Sequence, residues 1–404
     1  MPVIDSTFLK RVVISNYKSI ASCDVTLGPL TFLVGPNGAG KSNFLDALAF
    51  VADSLRGTLG QALRDRGGIG DVRRRSGGHP THVGMRLEFQ LAPSVHGHYS
   101  FRVGALSGGG YEVQQEECVI SNELRPELSA RYRIRDGRIE SAPTVFAAYA
   151  SDRLYLVSVS GIEPYRTAFD ALSRMGFYSF NPDELRGPQA PDSGTLLERD
   201  GWNIASVIRQ MKQANSPELE KIETYLSAVV AGVQGLEVKE IGRQETVEFR
   251  QTVQGSLNPW RFLAANMSEG TLRTLAVLVA LYQSSDGSGA PIRLVGIEEP
   301  EVALHPAAAG VLRDSLVEAS RARQIIVTSH SPDLLDDKDV DARSILAVVA
   351  ERGETIIGPL DSVGRDVLLQ RLYTAGELLR MNQLTPEPPK SSSARTNTLL
   401  FDRP

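Results

Sequence analysis

Residues 30–42 read Leu-Thr-Phe-Leu-Val-Gly-Pro-Asn-Gly-Ala-Gly-Lys-Ser, and this stretch decides the fold. The apolar run at 30–34 predicts a buried strand, and residues 35–42 match the phosphate-loop pattern G-x-x-x-x-G-K-[S/T]. Glycines in such a loop let backbone N–H groups face phosphates with no Cβ in the way. The apolar segment after Lys41 predicts a helix whose N-terminus points at the same place. The sequence therefore predicts a binding site for a nucleoside triphosphate.

The residues of this loop have separate expected roles. We expect Lys41 to reach the β- and γ-phosphates and the hydroxyl of Ser42 to be a ligand of Mg²⁺. The predicted nucleotide-binding residues of the segment are Gly35, Pro36, Asn37, Gly38, Ala39, Gly40, Lys41, Ser42 and Asn43.

The composition is that of a globular protein with material for two or three domains. The 404 residues are 42% hydrophobic and 23% charged, with a formal net charge of −5. This balance does not favour attraction of the whole surface to nucleic acid, although it is compatible with a local basic patch. Cys23 and Cys118 are far apart and lack metal-ligand spacing, which indicates reduced thiols. With no apolar run of about 18 residues and no leader-like start, we expect a soluble cytoplasmic protein with no membrane partner.

The pattern along the chain predicts one α/β core that is split by an insertion. Residues 1–80 would form the N-terminal part of the core, with Gly57 to Gly78 as a loop or short helix that exposes arginines. Period-2 alternation over 81–160 predicts an antiparallel β subdomain, and 161–260 read as a helical insertion with a hairpin. Residues 261–384 would complete the core. The Pro/Ser-rich tail at 385–404 is expected to be disordered, apart from an apolar patch at 399–401.

The second part of the core carries three polar motifs at the ends of predicted elements. Residues 268–270, Ser-Glu-Gly, open an apolar helix, where the serine is a natural N-cap and the glycine leaves the helix end open to an anion. Glu298 and Glu299 follow a buried strand, and two carboxylates there suit metal–water ligation and activation of an attacking water. His330 follows another strand, at the edge where ligands bind in open α/β sheets.

This ordered set of motifs resembles the ABC-type ATPase heads of the RecF, SMC and overcoming-lysogenization-defect (OLD) group. More narrowly, it is similar to bacterial AAA-family ATPases that contain a Glu-Pro-Glu-x-x-Leu-His-Pro segment. The resemblance covers roughly residues 8–55 and 262–336, and it implies a P-loop NTPase fold of ABC-ATPase type that binds ATP and Mg²⁺. The implied assignments are Walker A at 35–42, the ABC signature at Ser268, Glu269 and Gly270, Walker B at 294–299, the D-loop at 303–306 and the switch histidine at His330.

The resemblance also implies the roles of single side chains. Glu299 is the expected catalytic base, His330 the expected sensor of the γ-phosphate, and Glu298 holds Mg²⁺ together with Ser42. Ser268 would contact the γ-phosphate of a neighbouring subunit's ATP. Plainer interpretations stay open for Glu299 as a surface carboxylate at a strand end, for His330 as a helix cap and for Ser268 as an N-cap.

Three features depart from the usual pattern of these ATPases. Glu298 stands where an aspartate is usual and is one methylene longer, and the signature reads Ser-Glu-Gly where Ser-Gly-Gly is usual. A Q-loop glutamine cannot be placed, with Gln61 and Gln90 as the candidates. The Glu298 departure motivates an alternative, a non-catalytic scaffold gated by ATP. A transporter ATPase is disfavoured by the signature, the large insertion and the missing Q-loop.

Two clusters outside the motifs also have alternative interpretations. A basic cluster could bind nucleic-acid phosphates, or it could be a solvated loop or pair with nucleotide or a partner protein; it consists of Arg64, Arg66, Arg73, Arg74 and Arg75. Four histidines lie close in sequence, but strands and loops do not guarantee the convergent geometry of a metal site, so we expect none there; they are His79, His82, His96 and His98.

The expected function is ATP hydrolysis coupled to head-to-head dimerisation, with two ATP–Mg²⁺ complexes between two subunits. The sequence stops about 70 residues after His330, without the Asp-x-Asp pattern of a Toprim nuclease domain. We therefore expect an ATPase subunit that works with a separate effector such as a nuclease, in DNA repair or anti-phage defence. DNA remains an open partner.

Overall fold

A computed structural model describes residues 6–75, 80–141, 149–283, 291–388 and 399–401. Its strands are β1 (Leu9–Tyr17), β2 (Ile20–Thr26), β3 (Leu30–Val34), β4 (His82–Ala92), β5 (Val95–Ala105), β6 (Tyr111–Asn122), β7 (Ala130–Arg135), β8 (Arg138–Ser141), β9 (Gly176–Tyr178), β10 (Val233–Ile241), β11 (Gln244–Gln251), β12 (Trp260–Leu263), β13 (Leu294–Glu298), β14 (Gln324–Ser329), β15 (Ile345–Glu351) and β16 (Glu354–Pro359). Its helices are α1 (Lys41–Arg56), α2 (Leu59–Arg64), α3 (Ile69–Val72), α4 (Tyr155–Ser158), α5 (Tyr165–Ser173), α6 (Pro182–Arg186), α7 (Ile204–Gln213), α8 (Pro217–Val229), α9 (Glu269–Tyr282), α10 (Ala309–Ala319), α11 (Pro332–Leu335), α12 (Ser362–Leu369) and α13 (Ala375–Arg380).

The first large sheet is antiparallel and has the strand order β2-β1-β4-β5-β6-β7-β8. Side chains alternate between its two faces, so that Tyr99, Phe101 and Val103 of β5 all join the hydrophobic core. The sheet contains the antiparallel strands expected within 81–160. It also contains β1 and β2, so it crosses the expected boundary at residue 80.

The second large sheet has the order β16-β15-β3-β14-β13-β9. Its strands run parallel except β16, which is antiparallel to β15. The carboxyl ends of β3, β14 and β13 therefore meet at one edge, where ligands bind in sheets of this kind. β9 comes from inside the segment that the sequence predicts to be helical, because a strand of three residues is too short to produce a periodic signal.

A small third sheet stands in the insertion. β10 and β11 pair as the hairpin that the sequence predicts, and β12 adds a third antiparallel strand. Helices α7 and α8 pack against this hairpin and against α9. The insertion is therefore joined to the helix that begins at the ABC signature.

Helix α1 packs between the two large sheets. The Phe50 ring lies 6.0 Å from the Tyr17 ring and 6.2 Å from the Phe101 ring, measured between centroids on the side of the antiparallel sheet. On the other side, Gly296 of β13 has no side chain, and the space is taken by Leu45 of α1 and Phe177 of β9. Each buried Leu or Phe contributes about 1.5–3 kcal/mol, so this packing holds the start of α1 firmly against β13.

Part of the C-terminal segment is ordered against the fold. Pro386 forms an antiparallel bridge with Leu360, which corrects the expectation of disorder for 385–388. Leu400 is fully buried, and its side chain fills the space above Gly84 of β4. Residues 389–398 and 402–404 lie outside the described residues. None of the described helices combines the length and the apolar character that a membrane span needs.

Candidate nucleotide-binding site

The phosphate loop turns between β3 and α1. Gly38 and Gly40 have φ values of 77° and 102°, which are in the left-handed region that favours glycine. Pro36, Asn37 and Gly38 are exposed at the tip of the loop. Gly40 is the N-cap of α1 and has no side chain to bond the first N–H groups of that helix. The loop and helix end are therefore built to receive an anion.

Lys41 is folded back into this loop. Its Nζ atom donates hydrogen bonds of 2.9 Å and 3.1 Å to the carbonyl oxygens of Gly35 and Pro36. Burial lowers the pKa of Lys41 below its ordinary value, although the negative charges of Glu299 and Glu301 oppose the shift. A phosphate would give this desolvated ammonium group a charged partner.

Ser42 and Glu298 are in direct contact although 256 positions separate them. The Ser42 hydroxyl donates a 2.9 Å hydrogen bond to Oε2 of Glu298. Mg²⁺ prefers oxygen ligands and is usually held by one or two carboxylates together with substrate phosphates. The pair therefore fits Mg²⁺, and the extra methylene of Glu298 does not separate it from Ser42.

Glu299 and His330 face each other across the ends of β13 and β14. Nδ1 of His330 lies 3.0 Å from Oε1 of Glu299, in ion-pair range but not aligned for a hydrogen bond. The backbone of Glu299 has a φ of 44°, and its N–H donates to both oxygens of Thr328 at 3.1 Å. A non-glycine residue in this conformation is strained, and such strain concentrates at functional sites. Both side chains are about one third exposed, at 35% and 36%, so a ligand can reach them.

Glu301 is a buried neighbour that the sequence motifs left without a role. The hydroxyl of Ser329 donates a 2.6 Å hydrogen bond to its Oε1, whereas Oε2 has no hydrogen-bond partner among the described residues. Burial raises the pKa of Glu301 above its ordinary value, although the Ser329 hydrogen bond opposes this. The only signal for Glu301 in the sequence was its place in Glu-Glu-Pro-Glu.

The signature serine is a helix cap in this structure. The N–H of Thr271 donates a 3.2 Å hydrogen bond to Oγ of Ser268, and the two hydroxyls are 2.8 Å apart. Glu269 pairs with Arg273 at 3.0 Å. Gly270 lies against the carbonyl oxygen of Ala303, where a Cβ would not fit. The signature is thus packed on the D-loop of its own chain, and the contact of Ser268 with a neighbouring subunit's ATP stays a prediction.

Arg199 joins the site although no motif contains it. Its Nη2 lies 3.6 Å from Oε1 of Glu298, and its Nη1 lies 3.7 Å from Oδ1 of Asp46 on α1. The residue lies beside the end of β9, the neighbour of β13, because its carbonyl accepts a hydrogen bond from the N–H of Ser179. The two Q-loop candidates do not come here: Gln61 bonds with its neighbours Arg64 and Asp65, and Gln90 bonds with the carbonyl of Pro93.

The expected basic cluster is mostly paired inside the protein. The side chain of Arg66 is buried and bonds Asp46 at 2.9 Å and Asp53 at 2.7 Å. Arg74 is buried and bonds Glu354 at 2.6 Å. The expectation of exposed arginines is therefore wrong for these two, because internal carboxylates claim them. Arg75 is exposed and pairs with its helix neighbour Asp71.

The other described members of the basic cluster and of the histidine cluster also contact neighbouring groups. Arg64 bonds Gln61, and Arg73 bonds the carbonyl of Pro80. His96 and His98 approach different carboxylates, at Glu123 and Glu117, while His79 lies outside the described residues. Across the described ranges, no three His, Cys, Asp or Glu side chains are grouped to hold a metal ion.

A family model described as "AAA domain, putative AbiEii toxin, Type IV TA system" matches residues 30–114 and 122–336. The chain belongs to this family. The match covers the phosphate loop at 35–42 and the segments that contain Ser268, Glu298, Glu299 and His330. This AAA domain is therefore a P-loop ATPase domain, and ATP binding follows from its membership.

Curated relatives connect this AAA domain to larger proteins. It is 49% identical to the OLD nuclease of Thermus scotoductus over 379 residues, which cover 86% of this chain and 66% of that protein. It is 28% identical to structural maintenance of chromosomes protein 4 of Caenorhabditis elegans over 138 residues, which cover 33% of this chain and 8% of that protein. The chain thus spans just under two thirds of one relative and a small part of the other.

The architecture of the AAA domain matches solved ATPase heads. An Smc head bound to the C-terminal winged-helix domain of ScpA aligns with a TM-score of 0.56 and 14% identity, over 88% of this chain and 99% of that chain. A second Smc head, derived from Pyrococcus furiosus, aligns with a TM-score of 0.54 and 12% identity, over 90% of this chain and 99% of that one. The expected mixed α/β fold of ABC-ATPase type, with its antiparallel sheet, is confirmed.

Proposed function

We propose that this AAA domain hydrolyses ATP and that two copies enclose two ATP–Mg²⁺ complexes between them. The observation that carries the proposal is the meeting of Glu299 and His330 beside the phosphate loop, with a separation of 3.0 Å between Oε1 and Nδ1. A carboxylate and an imidazole next to a phosphate site are the groups that water activation and γ-phosphate sensing need.

Each residue then has a distinct task toward ATP. Lys41 exchanges its two carbonyl partners for the phosphate oxygens, which are stronger, charged acceptors. Glu299 orients the attacking water and accepts its proton, and His330 contacts the γ-phosphate. Ser268 of the partner subunit completes the site. Glu298 and Ser42 would hold Mg²⁺, which neutralises charge on the phosphate oxygens.

We further propose that turnover drives a separate effector that acts on nucleic acid, in defence or in DNA maintenance. Two similarities support this part: the family is described as including a toxin of a type IV toxin–antitoxin system, and the relative with 49% identity is named a nuclease. DNA stays an open partner of the complex, and the basic cluster does not argue for it, because Arg66 and Arg74 are already paired with internal carboxylates.

A second candidate is a scaffold that binds ATP without turning it over. The observation in its favour is Glu298, which stands where an aspartate is usual, is already paired with Ser42 and lies close to Arg199. In that case ATP binding alone would set the state of assembly. Turnover measurements separate the two candidates.

The test is ATP turnover and oligomeric state, measured with and without duplex DNA for wild type and Glu299→Gln. We expect wild type to release phosphate and the variant to dimerise with ATP but to release almost none. Turnover by neither protein, with ATP-dependent dimerisation in both, would favour the scaffold. No turnover and no effect of ATP on assembly would overturn both candidates.

A further inference from the structure

We propose that Arg199 is a positioning residue of the nucleotide site: it holds the Glu298 carboxylate when no divalent cation is bound and releases it when one binds. The inference rests on the proposed function, because it takes Glu298 and Ser42 as the holders of Mg²⁺. It assigns a task to a residue of the insertion, which otherwise contributes no side chain to the motifs.

The first argument is the place of the guanidinium group. Arg199 spans the gap between α1 and the end of β13, with Nη1 3.7 Å from Asp46 and Nη2 3.6 Å from Glu298. Within the described part of the chain, it is the cationic side chain that lies within 4.0 Å of Glu298. Glu298 also accepts the hydroxyl of Ser42. The positive charge thus stands beside the oxygen pair that fits Mg²⁺.

The second argument is that this ion pair is loose. Both separations of Arg199 exceed hydrogen-bond range, and its side chain is 49% exposed. Arg66 offers a contrast on the same carboxylate, since it is 6% exposed and donates a 2.9 Å hydrogen bond to Asp46. Asp46 is also paired with Lys18 at 2.6 Å and therefore keeps its charge compensation without Arg199. The guanidinium can leave without exposing a buried unpaired charge.

The third argument is that the backbone of Arg199 is fixed. The carbonyl of Arg199 accepts a 2.9 Å hydrogen bond from Ser179, directly after β9. On the other side, the N–H of Glu198 donates at 2.9 Å to the side chain of Asn203, which is fully buried before α7. These bonds anchor the backbone on both sides, so a release of Glu298 requires movement of the Arg199 side chain alone.

Arg199 and a divalent cation would therefore compete for the carboxylate of Glu298. A divalent cation at Ser42 and Glu298 repels the guanidinium and takes its partner, because like charges a few ångströms apart disfavour each other. Without the cation, Arg199 remains the counter-charge of Glu298 and of any phosphate nearby. Removing Arg199 should therefore make nucleotide binding more dependent on Mg²⁺.

The experiment measures the dissociation constant of the fluorescent nucleotide mant-ADP in excess EDTA and in excess Mg²⁺. The readout is the dissociation constant in EDTA divided by that in Mg²⁺, for wild type, Arg199→Gln and Arg199→Lys. Arg321→Gln is the control, at an exposed arginine just after the end of α10. We expect the ratio to rise about fivefold in Arg199→Gln, and to stay near wild type in Arg199→Lys and Arg321→Gln. Melting temperatures of all four proteins show whether the fold is kept.

A ratio that does not rise in Arg199→Gln, or that rises as much in Arg199→Lys, would overturn the inference while leaving the proposed function intact. Wild type that binds no mant-ADP under either condition would overturn the proposed function, and the inference with it. A double-mutant cycle with Glu298→Gln adds a second check, because the effect of Arg199→Gln should vanish once the shared carboxylate is gone.

Discussion

Oε1 of Glu299 lies 3.0 Å from Nδ1 of His330, and the two residues come from neighbouring parallel strands. Glu298 and Thr328 are direct partners in the register of β13 and β14. The residues that follow them therefore leave the sheet side by side at its carboxyl edge. This register brings two distant motifs to one place, as the proposed proton transfer and phosphate contact require.

Glu299→Gln should lower ATP turnover by roughly 10²–10⁴-fold, because the amide keeps the shape of the carboxylate but cannot accept a proton. Phosphate release at saturating ATP measures this, and mant-ADP affinity should stay near wild type. Glu127→Gln, at an exposed glutamate away from the site, is the matched control. Turnover by Glu299→Gln above a tenth of the wild-type rate would show that another group takes the proton.

Lys41→Met should weaken ATP binding about 10- to 100-fold, since it removes a charged hydrogen-bond donor worth about 1.5–3 kcal/mol. The same change should leave the melting temperature equal or higher, because burial already disfavours the charged lysine and lowers its pKa. Fluorescent-nucleotide titration and thermal unfolding check the two parts. Lys338→Met serves as the control at an exposed lysine. A clear fall in the melting temperature of Lys41→Met would contradict this account.

Gly270→Ala should lower the free energy of unfolding by about 1–3 kcal/mol, because the new Cβ would overlap the carbonyl oxygen of Ala303. Urea denaturation measures the effect. Gly310→Ala on α10 is the matched control, since its Cβ would meet nothing nearer than the Arg313 side chain at 3.9 Å. In a helix this control should gain about 0.5–1 kcal/mol. Equal effects of both substitutions would mean that the signature does not press on the D-loop.

Glu117→Gln should make the free energy of unfolding less dependent on pH in the acidic range. Burial alone would raise the pKa of Glu117, but His98 at 3.6 Å, the hydrogen bonds from Arg131 and the charge of Arg133 lower it from 4.5 to about 2. A depressed carboxyl pKa stabilises the fold above the unfolded value of 4.5, and that stability is lost as the pH falls toward 2. The lowered pKa of Glu117 contributes about 3 kcal/mol to the free energy of unfolding at neutral pH.

The free energy of unfolding of the variant and of wild type is measured by urea denaturation at about pH 7, 5, 4 and 3, which span this titration. At pH 7 the variant should be less stable by about 3–5 kcal/mol, because the buried guanidinium of Arg133 loses its carboxylate. Below pH 5 the two curves should converge. Parallel curves over this range would assign the acid sensitivity to other carboxylates.

The parts of the site that could be predicted are those with a local sequence signal. The phosphate loop, Glu298, Glu299 and His330 each stand at the end of an apolar strand, and the parallel sheet aligns those ends. Ser268 was predictable as a cap for the same local reason, and its hydrogen bond with Thr271 confirms that role.

What could not be predicted depends on which strands become neighbours. Arg199 lies in an irregular segment, and nothing in its surroundings reveals that β9 will pair with β13. The exposure of Arg66 was also predicted wrongly, because its partner Asp46 lies on α1 and meets it only through tertiary packing. A cluster of arginines in the sequence does not indicate which carboxylates will pair with them in the folded protein.

The position of β3 has a consequence for how the molecule is made. Both of its sheet neighbours, β14 and β15, come much later in the chain, as the pairings of Leu30 with Ile325 and of Phe32 with Ile345 show. During synthesis the phosphate loop therefore emerges long before the strands that hold it, while β1, β2 and β4 can already pair with one another. The ability to hold nucleotide arrives only when nearly all of the described chain has left the ribosome. A ribosome-bound series of increasing length should show that ability appearing in a single late step.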